Sequence, residues 1–106
     1  MNIYLLVHRH RPDYRGSPEA AAAWRAWFAG LGDALVDPGN GVLEDRTSVG
    51  NATSDLALGG YTLLQAESAQ EAARLAAGCP VLKGGGAVEI GRLSPVPGRA
   101  HPARIF

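Results

Sequence analysis

The chain opens with the apolar run IYLLV at residues 3–7, followed by the polar segment HRHRPD at residues 8–13. A short run of aliphatic and β-branched residues that ends in turn-forming residues is typical of a β-strand and the loop after it. Side chains alternate across a strand, and both alternating sets are apolar here, so this strand should be covered on both faces.

Two helices are predicted further along. The segment SPE at residues 17–19 offers a capping serine, a proline at the first helical position and an acid in the first turn. Bulky residues then recur at steps of three and four, which predicts one buried stripe: Trp24, Trp27, Phe28, Leu31 and Leu35. We interpret both tryptophans as core residues. The second helix begins at the capping box SAQE at residues 68–71 and ends at Gly78, with Pro80 just beyond.

The remaining strands surround the second helix. YTLLQA at residues 61–66 and AVEIGRL at residues 87–93 are predicted strands, and residues 42–43 and 47–49 form a weak predicted pair. Strands that alternate with helices in a short chain favour an α+β split βαβ sandwich with both helices on one face of an antiparallel sheet. We place this domain at residues 1–94, followed by a Pro-rich tail at residues 95–106.

The other sheet face, to which we assign Tyr4 and Leu6, would be apolar and exposed to water. Pairing of two copies through this face is the simplest way to cover it, so we expect a homodimer. A cleft between sheet and helix, or between subunits, is then the natural place for a small-molecule ligand.

Composition excludes several classes of function. The 106 residues include ten Lys or Arg and ten Asp or Glu, so no net charge attracts nucleic acid or an acidic membrane. The N-terminal apolar run is too short for a signal segment or a membrane span. Cys79 is the only cysteine and cannot form an internal disulfide, so we expect a cytoplasmic protein.

The second half of the chain resembles the YCII-related (DGPF-domain) family. The resemblance is carried by GGYTLLQAES at residues 59–68, Glu71-Ala72, GCP at residues 78–80 and KGGGAVEI at residues 83–90. It implies a ferredoxin-like βαββαβ domain that forms dimeric α/β barrels, which agrees with the architecture expected from the residue pattern.

The sequence departs from this family at its signature positions. Many relatives carry Asp-Gly-Pro-Phe before the Gly-Gly-Tyr strand, where this chain has VGNATSDL at residues 49–56. Some branches use a histidine in the first helix with an aspartate near the end of the second, and this chain has neither. A hydrolase activity therefore cannot be carried over from the resemblance.

His8 is the best acid/base candidate, because it ends the first strand on the same side as Tyr4. We expect Tyr4 and Tyr61 to line the cleft and consider Asp55 as a residue that orients His8, although a surface position is the favoured interpretation of Asp55. His10 lies two residues further on the same side and is a binding candidate. The His8–His10 pair could hold a metal, but a solvated loop is favoured, so we predict neither metal nor cofactor.

The other reactive side chains are weaker candidates for a functional role than His8. Lys83 before three glycines lacks the P-loop pattern and is interpreted as a strand entry. Cys79 follows a helix end, where the dipole disfavours a thiolate, so we expect a structural role. His101 lies in the tail and is expected to be idle. Two hypotheses remain: a small-molecule enzyme with a cleft histidine, or a non-catalytic ligand-binding or regulatory interaction module.

Overall fold

The computed structural model of the chain describes residues 1–52 and 54–95. These residues fold into a four-stranded sheet with two helices on one face. The elements are β1 (Asn2–His10), α1 (Pro18–Leu31), β2 (Leu35–Asp37), β3 (Ala57–Ala66), α2 (Ala69–Ala76) and β4 (Ala87–Arg92). Short 3-10 turns at Gly32–Ala34 and Pro80–Gly84 precede β2 and β4. The strand order is β2-β3-β1-β4 and all neighbours are antiparallel. The predicted α+β, ferredoxin-like βαββαβ class is confirmed.

No helix in the described part of the chain is long and apolar enough to cross a membrane. The predicted tail is described only at Pro95, and His101 lies outside the described residues.

Both helices begin at the predicted serines. The Ser17 hydroxyl accepts a hydrogen bond from the amide of Ala20 at 3.0 Å, and the Ser68 hydroxyl accepts one from the amide of Glu71 at 3.1 Å. The Glu71 carboxylate accepts from the amide of Glu67 at 3.2 Å, one residue earlier than a standard capping box requires. Orphan amides at the helix starts are thereby satisfied, which confirms the two predicted N-caps.

Strand β1 is longer than predicted. It extends to His10, through the polar segment that we predicted as a loop. Both neighbouring strands pair with it there, because His8 lies opposite Gly60 of β3 and Val88 of β4. Hydrogen bonding on both edges overrides the polar composition of this segment.

Helix α1 is shorter than predicted, and the strand after it is misplaced. Gly32 has a φ of +55°, which stops the helix before Leu35. Leu35 packs against the core as the first residue of β2, not as the last residue of a helical stripe. The predicted strands at residues 42–43 and 47–49 are wrong, because β2 takes the sheet edge beside β3.

The core lies between the sheet and the helices. Tyr4 and Leu6 are 4% and 0% exposed and pack beneath both helices. The other buried members of this cluster are Leu31, Leu64, Ala66, Ala72 and Ala76. Our assignment of Tyr4 and Leu6 to the uncovered face is therefore wrong. Alternation shows which side chains of β1 share a face, but the side chains on both faces are apolar, so the pattern does not indicate which face the helices cover. In the structure, Ile3, Leu5 and Val7 lie on the opposite face.

Two consecutive glycines interrupt the pairing of β1 with β3. The register shifts after His8, which leaves Gly59 as the extra residue of a β-bulge. A Cβ atom on Gly59 would lie 2.7 Å from Cδ2 of His10. One on Gly60 would lie 2.6 Å from the carbonyl oxygen of Asn40, and Gly60 has a φ of +144°. The loop after β2 can approach the sheet closely because Gly60 lacks a side chain, and the His10 ring can lie close to β3 because Gly59 lacks one.

Gly60→Ala is expected to lower the free energy of unfolding by about 2–4 kcal/mol, because the new methyl meets a backbone atom and the φ is unfavourable for alanine. Gly91→Ala in β4 is the matched control, since its added Cβ would meet no atom within 4 Å. Urea denaturation of both variants measures the difference. Equal stability of the two variants would contradict this account of the bulge.

Candidate functional site

A cavity of about 630 Å³ lies beside the end of β1. Strand β1 contributes His8 and His10 to its wall, and helix α1 contributes Trp24. The loop at residues 38–41 and the 3-10 turn Pro80–Gly84 supply further parts of the wall. Sites for small molecules in proteins commonly have volumes in this range.

His8 is the polar residue at the end of the buried face of β1. Its alternation with Tyr4 and Leu6 places it beneath the helices, where it is only 6% exposed. Its Nε2 atom lies 2.9 Å from the Oγ1 atom of Thr62 on the neighbouring strand β3. The Thr62 hydroxyl in turn donates to the carbonyl oxygen of Pro38 at 3.0 Å. The ring is therefore held by a polar side chain that is itself tied to the loop after β2.

Aromatic side chains of α1 pack against the His8 ring. The ring centroid of Trp24 lies 4.9 Å from that of His8, with the planes tilted by 49°. Trp27 is 6.4 Å away and meets the ring edge-on. Its indole nitrogen donates to the carbonyl oxygen of Leu75 at 3.1 Å, which ties α1 to α2. Trp24 packs on His8 and also forms a wall of the cavity, so its role is wider than the predicted core position.

Burial lowers the pKa of His8 from 6.5 to about 4, because the imidazolium cannot keep its hydration beneath the helices. At neutral pH the ring is uncharged, with one protonated nitrogen and one bare nitrogen. Within residues 1–52 and 54–95, no carboxylate forms a hydrogen bond or an ion pair with the ring. Nothing described therefore offsets the desolvation of the charged form.

The wall of the cavity carries more basic than acidic groups. Arg15, Lys83 and Glu19 are its fully charged members in the described part of the chain. All three are exposed residues, so their charges lie toward solvent at the mouth and not against the buried ring. A positive mouth above an aromatic interior favours ligands that carry an anionic group.

His10 is held differently from His8. Its Nδ1 lies 2.8 Å from the carbonyl oxygen of Arg11, which can only accept, so Nδ1 carries the ring proton. Its Nε2 accepts from the guanidinium of Arg46 at 3.0 Å. The same guanidinium donates to the carbonyl oxygens of Val42 and Leu58. Because both ring nitrogens are occupied, His10 forms part of the wall and has no free nitrogen for proton transfer.

The remaining predicted site residues separate into two groups. Tyr61 lines the cavity, and its hydroxyl accepts a hydrogen bond from the side-chain amide of Asn40 at 3.1 Å. Tyr4 lies in the core and does not reach the cavity wall. Asp55 is exposed, precedes β3 and forms no hydrogen bond with His8. The polar side chain that contacts His8 is Thr62, in the role that we predicted for Asp55.

Sequence reasoning missed three parts of the site. Thr62 is a hydroxyl in an apolar strand, which is a signal for a buried hydrogen bond, but its partner depends on the register between β1 and β3. Trp24 looked like an ordinary core residue. Lys83 looked like a strand entry, and its segment forms a 3-10 turn at the cavity.

Metal and thiol chemistry have little support in the described residues. Across 1–52 and 54–95, no three His, Cys, Asp or Glu side chains cluster as metal ligands would. Cys79 is 2% exposed, and burial raises the pKa of its thiol to about 11. A thiol that stays protonated at neutral pH is a poor nucleophile, in line with the predicted structural role.

No protein-family model and no curated protein matches the chain. A solved structure with a similar fold is the 5-chloro-2-hydroxyhydroquinone dehydrochlorinase of Burkholderia phenoliruptrix AC1100, in complex with 2,5-dihydroxybenzoquinone. The two chains are 24% identical and superpose with a TM-score of 0.58, over 87% of this chain and 93% of that one. A likeness at this identity shows a shared fold.

The buried neutral state of His8 predicts a pH-dependent stability. Its folded pKa of about 4 lies below the unfolded value of 6.5, so the unfolded chain binds more protons between these values. The contribution of neutral His8 to the free energy of unfolding is complete above pH 6.5 and is lost as the pH falls toward 4. Urea denaturation at pH 7 and pH 4.5 should show a loss from this group of about 2 kcal/mol.

His8→Gln is the matched variant, because glutamine at this position has no charge to gain. Between pH 7 and pH 4.5, the free energy of unfolding of His8→Gln should fall by about 2 kcal/mol less than that of the wild type, since both proteins retain the same carboxylates. An NMR titration of His8 with a midpoint near pH 6.5 would contradict the explanation.

Proposed function

We propose that this chain is a small-molecule enzyme in which His8 exchanges a proton with a planar, hydroxylated ring compound bound against Trp24. The observation that carries the proposal is a buried, uncharged histidine beside a cavity of about 630 Å³. General acid/base catalysis needs such a group within reach of the ligand and free of competing contacts.

The low proton affinity of His8 restricts the reaction class. With a pKa of about 4, the ring accepts a proton at neutral pH only where a negative charge forms beside it. Proton transfer from a phenol or enol creates such a charge, because the ligand becomes an anion as the ring becomes a cation. Arg15 and Lys83 at the mouth would favour the same anion.

The ligand class is supported by the shape of the wall and by the solved structure of similar fold. Trp24 and Phe28 offer aromatic surfaces to a flat ring, and the basic mouth suits acidic hydroxyl groups. The dehydrochlorinase of similar fold was solved with 2,5-dihydroxybenzoquinone, which has these features. This compound is therefore the first probe for the cavity.

We further propose that the chain is a divergent member of the YCII-related family, a proposal supported by its ferredoxin-like fold and by the residues of β3. The Gly-Gly-Tyr strand that carries the resemblance is strand β3. The Asp-Gly-Pro-Phe signature is absent, and Thr62 stands beside the candidate base, where a carboxylate would be expected.

Binding of 2,5-dihydroxybenzoquinone should be detectable by isothermal titration calorimetry at pH 7.5. Arg15→Gln should weaken it about three- to tenfold by removing one positive charge at the mouth. Arg74→Gln, on the exposed last turn of α2 and outside the cavity wall, is the control and should bind like the wild type. Absence of binding, or an equal loss in both variants, would remove the proposed ligand class.

Catalysis needs a separate measurement. Incubation with 5-chloro-2-hydroxyhydroquinone, followed by chloride release, tests the reaction named for the dehydrochlorinase of similar fold. His8→Gln should abolish any turnover and leave binding of 2,5-dihydroxybenzoquinone within about tenfold.

A non-catalytic ligand-binding or regulatory module is the second candidate. It is favoured by the lack of a carboxylate partner for His8 among the described residues, because orienting carboxylates commonly support a catalytic histidine. Tight binding without turnover, unchanged in His8→Gln, would favour this candidate over the enzyme.

We also propose that the chain forms a homodimer through the uncovered sheet face and acts in the cytoplasm. Ile3, Leu5 and Val7 lie half-buried on this face, and both helices pack on the other face. Burial of such an apolar layer would stabilise a dimer. A single buried thiol is in keeping with a reducing compartment.

Light scattering should therefore give a mass of twice 11.1 kDa for the wild type. Leu5→Glu should yield a monomer, because it would bury an unpaired charge at the centre of the proposed interface. Leu82→Glu, on the 3-10 turn before β4, is the control and should remain a dimer. A monomeric wild type at micromolar concentration would refute the interface.

A further inference from the structure

We propose that Thr62 is a positioning residue that keeps the ring proton of His8 on Nε2 and so leaves Nδ1 as the bare nitrogen presented to the cavity. The assignment of the tautomer stands on hydrogen-bond geometry. Only its use in proton transfer rests on the proposed function.

The single proton of the Thr62 hydroxyl decides the direction of both hydrogen bonds. A carbonyl oxygen can only accept, and that of Pro38 lies 3.0 Å from Oγ1 of Thr62. If the hydroxyl donated to His8 instead, two acceptor oxygens would face each other at this distance. The proton therefore points to Pro38, and the lone pairs of Oγ1 are left for His8. Nε2, 2.9 Å away, must be the donor.

Thr62 is well placed to hold this arrangement. It is 0% exposed, so water does not compete for its hydroxyl. It lies inside β3, where branching at Cβ restricts the side-chain rotamer. The hydroxyl is thus fixed by the strand on one side and by the loop after β2 on the other.

The second nitrogen of His8 is the one left free. Every fully buried side-chain nitrogen or oxygen of the described residues has a hydrogen-bond partner. Nδ1 of His8 has none among these residues, so it cannot be sealed in the core. His8 belongs to the cavity wall, and Nδ1 is therefore the atom that the cavity exposes.

A threonine in this position differs from a carboxylate in a way that affects chemistry. A carboxylate would also accept from Nε2–H, but its charge would stabilise the imidazolium and raise the basicity of Nδ1. The hydroxyl fixes the tautomer without adding charge. Such a site suits ligands whose protons are already acidic, as are the hydroxyl groups of the proposed ring compounds.

Nitrogen-15 NMR of the imidazole ring tests the assignment directly in the ligand-free protein at pH 7.5. The wild type should show a protonated Nε2 and a bare Nδ1. In Thr62→Val, which keeps the shape and removes the hydroxyl, the Nε2 proton should exchange with water at least about fivefold faster. Thr62→Ser restores the hydroxyl and should return the exchange rate to near the wild-type value.

A protonated Nδ1 in the wild type would overturn the proposal. So would an unchanged exchange rate in Thr62→Val; Thr62→Ala provides the same measurement should the valine variant not fold. Addition of 2,5-dihydroxybenzoquinone to the wild type should then shift the Nδ1 resonance more than that of Nε2. A correct tautomer with no such shift would count against the proposed function and leave the role of Thr62 intact.

Discussion

Alternation along β1 is the constraint on which the rest of the structure depends. Tyr4, Leu6 and His8 share one face, and the two helices cover that face to bury the first two. His8 is buried with them, because side chains two residues apart along a strand point to the same face. Its desolvation, its contact with Trp24 and its place at the cavity all follow from an arrangement that the apolar residues stabilise.

A buried imidazole at this position is compatible with a stable fold because the neighbouring strand and loop supply its polar contacts. A net contribution of about 1 kcal/mol is typical of a neutral hydrogen bond, whereas a buried polar group without a partner costs about 1–3 kcal/mol. Thr62 therefore matters mainly by preventing that cost. It cannot compensate the burial of a cation, which is why the ring stays neutral well below pH 6.5.

The parts of the fold that were predictable were those with local signals. Ser17 and Ser68 cap helices through contacts within four residues, and residues 61–66, the predicted strand, form the part of β3 that follows its two glycines. Leu35 was misassigned because one apolar residue fits both a helical stripe and a short strand. The covered face of β1 was misassigned because both of its faces are apolar.

The candidate site was predictable only at residues that carry distinctive chemistry. His8, His10 and Tyr61 all reach the cavity wall. The pairing of His8 with Thr62 joins residues 54 positions apart and depends on strand register, which a single sequence does not specify. Asp55 was preferred as a partner because carboxylates commonly orient histidines, but the bulge at Gly59 and the loop after β2 bring a hydroxyl and a carbonyl there instead.

The guanidinium of Arg46 ties the chain before residue 47 to the start of β3. It binds the carbonyl oxygens of Val42 and Leu58 and the ring of His10, so the chain on either side of residues 47–57 is joined at one point. The entropy of closing a loop rises only slowly with its length, and surface loops tolerate insertions well. Lengthening or replacing residues 47–56, which precede β3, should leave the sheet and the cavity wall in place. The loop before β3 is thus held at its ends apart from the sheet, which makes residues 47–56 a suitable place for engineered insertions.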